Sequence, residues 1–220
     1  IYARQGQTLQ DWQKELNQAL SMAIDHLSLY QLTIEEGTAF GDRYARGKLR
    51  NLPTDDTAAD MYHATQEICA EYGMPAYEVS NHARAGSESR HNLIYWRYGD
   101  YVGIGPGAHG RLTLNGTRFA TESLRAPGAW LNAVSKGSGD CVNVELKRDE
   151  YSAEHLMMGM RLVEGIDMSR YEQLAGRPLP HNKLNDLLQM NMVTQTGPIL
   201  RATDQGRAVL NAVLRELLAD

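Results

Sequence analysis

The chain has 220 residues, 42% of them apolar and 22% charged, the balance of an ordinary globular protein with room for one large or two modest domains. Twenty-two Lys and Arg stand against 27 Asp and Glu, a net of −5, so no broad basic surface is available to neutralise phosphates, and nucleic acid is excluded as a first reading. No run of about 18 apolar residues suits a bilayer, no signal peptide is recognisable, and the two cysteines, Cys69 and Cys141, form no CxxC and point to a reducing cytoplasm.

The chain opens Ile1-Tyr2-Ala3 without an initiator Met, as though a strand were already under way, which reads as the tail of a longer protein. Thr8-x-x-Asp11 has the form of a capping box, and Leu9, Trp12, Leu16 and Leu20 recur at helical spacing behind it. His26–Thr33 alternates apolar and polar residues and predicts a strand. Strand, helix, strand is the unit of a parallel α/β sheet. A long loop is expected from Glu35 to Pro53. Thr54 caps a helix with Met61, Ile68 and Tyr72 facing inward, Cys69 as an inert buried thiol, and Gly73 and Pro75 at its end.

Tyr77–Val79 predicts another short strand. From Asn81 to Gly110 no period holds, and this stretch gathers His82, His91 and His109, the four aromatic residues Tyr95, Trp96, Tyr98 and Tyr101, and a cluster of five glycines between Gly99 and Gly110, so chemistry is expected here. Leu112–Phe119 predicts a hairpin turning at Asn115-Gly116, Pro127–Val134 a short helix, and Gly137-Ser138-Gly139 a hinge. From Lys147 compact helices follow: Leu156, Met160 and Val163 on one face, a helix capped by Ser169 and ended by Gly176, and a third at Asn182–Met190. Two short strands around Thr196-Gly197-Pro198 and a closing helix from Thr203-Asp204, with Leu210, Val213, Leu214, Leu217 and Leu218 in one stripe, complete a winged-helix-like module. Its residues 149–220 carry seven Lys and Arg against ten Asp and Glu, which disfavours duplex DNA as its partner.

Gly103-Ile104-Gly105-Pro106-Gly107-Ala108 satisfies G-x-G-x-x-[GA], but no helix follows to present its N-terminus to a pyrophosphate, so a dinucleotide fold is not inferred. The glycines indicate either a backbone brought close to something flat or a tight loop over the core. His91-Asn92-Leu93-Ile94-Tyr95-Trp96 offers an imidazole able to ligate haem iron, with aromatic faces beside it. A hydrogen-bonded histidine next to core aromatics is the other reading of the same residues.

Ile1-Tyr2 with Gly6-Gln7-Thr8, LSLYQLTIEEGT (Leu27–Thr38), YEVSNHA (Tyr77–Ala83), ESRHNLIYW (Glu88–Trp96) and GIGPGAHGR (Gly103–Arg111) together resemble the C-terminal part of the HemW haem chaperones. That family belongs to the radical S-adenosylmethionine group and is similar to oxygen-independent coproporphyrinogen III oxidase. The resemblance implies an α/β fold: residues 1–146 as the last part of an incomplete (β/α) barrel, and 147–220 as a small helical C-terminal domain. Ile1–Ala3 and His26–Thr33 would be the last two barrel strands. It implies haem as ligand, with His91 the candidate for the iron and Tyr95 and Trp96 flanking it. Thr33, Gly105, Gly107 and His109 would be cofactor-proximal, Thr33 and His109 near S-adenosylmethionine. A [4Fe–4S] cluster is implied for the full-length parent, but its cysteine motif is absent here, so this chain alone is expected to be inactive in radical chemistry. A haem-accepting protein, in some cases membrane-associated, and a homodimer are the partners implied. An oxidase acting on coproporphyrinogen III in porphyrin biosynthesis is the alternative activity. Ala3-Arg4-Gln5 stands where the group usually has Gly-Leu-Pro, which bears on the turn before Gly6.

Overall fold

In the computed structural model, which describes residues 1–219, Thr8 starts the first helix in the way its side chain dictates. Its hydroxyl accepts from the Asp11 amide while the Asp11 carboxylate accepts from the Thr8 amide, so α1 (Leu9–Met22) begins with two otherwise orphaned donors satisfied. Trp12, Leu16 and Leu20 are its buried stripe. The chain forms two compact units, Ile1–Ser89 and Arg90–Asp220, so the composition change at Lys147 lies inside the second.

In the first unit the expected parallel pairing exists as a single bridge between Tyr2 and Gln31, closed by Tyr2 N donating to Tyr30 O and Leu32 N to Tyr2 O, each 2.9 Å. The strand His26–Thr33 is shorter than expected. Regular pairing covers only β1 (His26–Ser28), because the chain changes partners after Leu29 and leaves its neighbour for Tyr2. The loop 35–53 contains a seven-residue helix, α2 (Ala39–Ala45), capped by Thr38. Thr54 caps α3 (Asp55–Glu71) as expected, and Met61 and Cys69 are fully buried. Tyr72 does not face inward: it follows the last helical residue and is exposed.

The strand expected at Tyr77–Val79 is displaced to β2 (Asn81–Ala83), which pairs antiparallel with β1. The reason is Glu78, whose buried carboxylate accepts from the Ser80 amide at 2.8 Å and from the Asn81 side chain, folding 77–80 into a turn that brings Ala76 against His82. Tyr2, Trp12, Leu16, Leu20, Leu29, Met61, Cys69 and Met74 form this unit's core, with the Trp12 indole donating to Thr65 Oγ1 at 2.8 Å.

The second unit begins with α4 (Arg90–Trp96), a helix inside the stretch read as irregular. The hairpin is found and is longer than expected: β3 (His109–Leu114) and β4 (Thr117–Ser123) turn at Asn115 (φ +52°) and Gly116 (φ +82°), the pair of positive φ values that the Asn-Gly signal predicts. After α5 (Pro127–Val134) comes a strand with no sequence forecast, β5 (Asp140–Glu145), completing the sheet β3-β4-β5. Of the two glycines between α5 and β5, Gly137 (φ +127°) stands in open space, whereas Gly139 is closely packed, since a Cβ there would collide with the Trp130 indole.

Next come α6 (Arg148–Gly159), β6 (Ile166–Asp167), α7 (Met168–Ala175), α8 (His181–Gln189), β7 (Val193–Thr196), β8 (Ile199–Ala202), α9 (Asp204–Ala208) and α10 (Leu210–Leu218). Strands six to eight form one antiparallel sheet in the order β6-β8-β7, one strand more than the pair expected. Val163 is exposed instead of sharing a face with Leu156 and Met160; α6 ends at Gly159, helical spacing lapses, and Leu162 takes the buried place. Asp167, not Ser169, caps α7, its carboxylate accepting from the Ser169 amide at 2.8 Å, and Gly176 ends that helix at φ +72°. The closing helix is broken at Val209. Gly206 lies so tightly on the Met192 carbonyl that α9 is pinned, and α10 restarts with Leu210, Val213, Leu214 and Leu217 buried and Leu218 half-buried. No helix among the described residues is long and apolar enough to cross a membrane.

Candidate functional site

Seven residues without Gly, Pro or a β-branched run allow α4 to form, and the next three close it. The Arg97 amide donates to Leu93 O and the Gly99 amide to Ile94 O, while Tyr98 between them takes the left-handed conformation at φ +56°. A non-glycine residue there costs on the order of 1 kcal/mol. Its side chain offsets that cost. The Tyr98 ring is buried under the Arg118 guanidinium, 3.9 Å from the ring centroid, and its hydroxyl donates to Glu154 at 2.7 Å.

Around Tyr98 a network joins the loop, the hairpin and α6. Arg111 donates to both Glu154 oxygens, at 3.0 and 2.8 Å. Arg118, itself buried, donates to Asp100 at 2.7 Å and to Gly99 O at 2.9 Å. Although burial opposes it, hydrogen bonds from Arg111 and Tyr98 hold the Glu154 carboxyl below its ordinary range. Burial first, then the bond to Glu154, keep the Tyr98 phenol protonated far above its usual range. Asp100 is likewise lowered against its own burial, by Thr113 and Arg118. Of these residues the sequence pointed only to Tyr98, as one of the four aromatics between Asn81 and Gly110, and to Arg111, as the end of the glycine segment; it assigned neither a role, because the partners lie 18 to 56 positions away.

On the other side of α4 the sequence-predicted residues meet. His91 is exposed, and its ring packs edge-on against Tyr95, 4.7 Å between centroids; Tyr95 in turn meets Tyr101 at 4.3 Å. Tyr101 is fixed to the hairpin by two backbone bonds with Arg111, at 2.8 and 2.9 Å. Trp96 leaves this row and is half-buried beneath the Arg161 guanidinium, 4.7 Å from its ring.

The glycine loop divides in two. A Cβ on Gly103 would meet His109 O at 2.7 Å, and one on Gly110 would collide with Thr121 Oγ1, so these two glycines serve the loop's own closure. Gly105 (φ +107°) has nothing within 4 Å of that position and exposes backbone to open space, whereas Gly107 (φ +70°) is in ordinary contact with Arg125 at 3.7 Å. His109, first residue of β3, is exposed.

Thr33 belongs to the first unit and is exposed there. Its chain neighbours Leu32 and Ile34 line a cleft of about 830 Å³ with Gln31, Glu36, Asp42 and Tyr44. The cysteines do not suit an iron–sulfur cluster. Burial pushes the Cys69 thiol up to about 12, Cys141 is exposed, and no group of three or more His, Cys, Asp or Glu placed to hold a metal occurs among the described residues.

Residues 146–209 match the HemN C-terminal domain. Over 177 residues the chain is 40% identical to radical S-adenosyl methionine domain-containing protein 1, mitochondrial, of Danio rerio, covering 78% of this chain and 40% of that protein. It is 31% identical over 224 residues to heme chaperone HemW of Bacillus subtilis, covering all of this chain and 58% of that protein. The chain thus spans about half the length of the curated relatives it matches. The structure of coproporphyrinogen III oxidase (HemN) from Escherichia coli, a radical SAM enzyme, has the same fold over 96% of this chain and 52% of that one, with a TM-score of 0.69 and 16% identity.

Proposed function

Because the chain belongs to the HemW/HemN-like family of radical S-adenosylmethionine proteins, we propose that the protein of which it is part binds haem and delivers it to a haem-dependent acceptor. The observation that carries this reading is His91: an exposed imidazole backed by Tyr95 and Tyr101, able to reach an iron without disturbing a core. Neutral imidazole is a haem ligand, and the adjoining rings offer apolar surface to a porphyrin. The open backbone at Gly105 suits a flat ligand, since no side chain stands there to hold it off.

Haem is here the cargo, and its acceptor, in a membrane or free, is recognised elsewhere on the protein or on a second copy in a homodimer. Similarity to HemW proteins at 31% along the whole chain favours the chaperone over the oxidase, to which the likeness is one of fold. Residues 1–146 act as the last part of an incomplete (β/α) barrel and 147–220 as a winged-helix-like module, the whole residing in the cytoplasm. Thr33, whose chain neighbours line the 830 Å³ cleft, is the candidate of the first unit for contact with S-adenosylmethionine, and His109 is the candidate of the second. The thiolates for a [4Fe–4S] cluster are not in this chain, so no radical step is assigned to its residues.

Haem titrated into the full-length protein is expected to give a Soret shift that His91→Ala abolishes or weakens at least about tenfold, the loss of one coordinate bond being worth more than a hydrogen bond. Equal binding by both proteins removes His91 from this role. Conversion of coproporphyrinogen III to protoporphyrinogen by the reconstituted protein would establish the oxidase instead.

A further inference from the structure

Four of the seven Lys and Arg among the first 89 residues fall within Arg43–Arg50, where no acid stands, although those 89 residues carry 13 Asp and Glu. The fold holds this stretch in place. The Thr38 hydroxyl caps α2 by accepting from the Gly41 amide at 3.0 Å, and a Cβ on Gly41 would collide with the Glu35 carbonyl. At the other end Gly47 takes φ +66° and donates to Tyr44 O while the Lys48 amide returns to Arg43 O, each at 2.8 Å, the paired bonds of a glycine-terminated helix. Asn51 O then accepts from the Gly6 amide at 2.7 Å. Arg43, Arg46, Lys48 and Arg50 are all exposed, and none forms an ion pair among the described residues. Phe40 and Tyr44, one turn apart on the side of α2 that Arg43 shares, are 48% and 56% exposed. The helix dipole accounts for cations at Arg43 and Arg46 but not for Lys48 and Arg50, which lie past the last turn.

We infer that Phe40, Tyr44 and these four cations dock an acidic segment of a partner protein. Arginine and aromatic residues are the types that protein interfaces concentrate, arginine because its planar fork takes a carboxylate through two bonds, aromatic rings because they bury a large area at small entropic cost. A platform already ordered at both ends loses little freedom on binding. The acids around the patch decide the shape of the partner. Glu36, Asp42 and Asp55 line one cleft with Tyr44, so an extended anionic surface, whether a bilayer or a duplex, comes within a Debye length of about 8 Å of carboxylates as well as cations. A narrow acidic segment meets the cations alone. The inference is separate from the haem reading, whose His91 stands in the other unit.

The test titrates the full-length protein, by fluorescence anisotropy, into a labelled peptide of glutamates interspersed with leucines and into its counterpart with lysine in place of glutamate. Flotation with phosphatidylcholine vesicles, with and without phosphatidylglycerol, is the third arm. Only the glutamate peptide is expected to bind, and Arg43→Gln, Arg46→Gln, Lys48→Gln and Arg50→Gln combined are expected to weaken it about tenfold or more. Phe40→Ser, with every charge kept, is expected to weaken it about threefold. Lysine at the three arginine positions falls between wild type and the glutamine variant, because charge remains without the planar fork. A wild-type protein that ignores the glutamate peptide, or a glutamine variant that binds it with wild-type affinity, overturns the inference. A Phe40→Ser protein as tight as wild type overturns it too, reducing the patch to general attraction of counter-ions. So does flotation with the anionic vesicles that the glutamine variant loses, which assigns the patch to a lipid surface.

Discussion

His155 is held in a place where a proton is unwelcome. Its side chain is buried beside the Tyr98 ring, and burial first, then Arg170 and Arg118, pull its pKa down to about 4 against the partial support of Asp167. The folded value lies below the unfolded one near 6.5, so the neutral ring costs nothing above that pH. Stability then falls as pH drops from about 6.5 to 4, where the unfolded chain binds the proton first. His155→Phe is expected to remove a loss of about 3 kcal/mol by pH 4, read from urea unfolding at stepped pH; an unchanged pH profile would contradict it. The lowered carboxyls of Glu154 and Asp100 act in a separate window. Their stabilisation is present above ordinary carboxyl values and is lost only as pH falls further.

Ala3 shows the cost of one sequence departure. It is buried at φ +55°, the left-handed region that glycine enters with least strain. The turn survives because Gln7 N donates to Arg4 O at 3.0 Å and the Arg4 guanidinium pairs with Glu15, which takes up the introduced charge. Ala3→Gly relieves the strain but raises the conformational entropy of the unfolded chain, for a net gain of up to about 1 kcal/mol in thermal unfolding. A loss of stability would show that the methyl group's packing outweighs the strain.

At the scale of elements, α6 matters less for its own length than for what its side chains hold. Glu154 binds Arg111 and Tyr98, Tyr151 and Tyr98 both lie against the Arg118 guanidinium, and Arg161 just beyond the helix covers Trp96. The helix that bears His91 is therefore set by a segment more than fifty residues downstream, all of it inside the HemN C-terminal domain match. Glu154→Gln keeps the shape but removes the charge that Arg111 and Tyr98 share. It is expected to cost about 2 kcal/mol in denaturant unfolding, most of it from leaving Arg111 half-buried and unpaired; a change within about 0.5 kcal/mol would reduce the network to surface decoration. The helix boundaries were legible because their signals are local: the Thr8 and Thr54 hydroxyls, the Asn115-Gly116 turn and Gly176 act on amides and dihedrals within a few residues. β5 was not, since its burial alternation is nearly absent and its place comes from pairing with β4.

For the whole molecule, the charge balance sets the kind of partner. A net of −5, with the excess acid continuing through residues 149–220, gives long-range repulsion toward phosphate backbones despite helices and a small sheet of the sort that many DNA-binding modules carry. No salt-sensitive association with duplex DNA is expected in a fluorescence anisotropy titration between 50 and 200 mM salt, a range of about fourfold over which phosphate binding falls steeply. A steep loss of binding across that range would overturn the assignment.

Sequence by itself determined the alternation of helix and strand, the capping residues, the hairpin turn, the two unmatched cysteines and the stretch in which His91, Tyr95 and the glycine cluster occur, because each depends on neighbours in the chain or on residue counts. Tertiary structure alone decided that Tyr98, Arg111, Arg118 and Glu154 form one network, that Trp96 turns away from His91 toward Arg161, and that Gly103 and Gly110 serve packing while Gly105 stays open. Ion pairs and ring contacts are settled by distances across the fold, and a chain whose partners stand tens of residues apart carries no local mark of which cation will meet which acid.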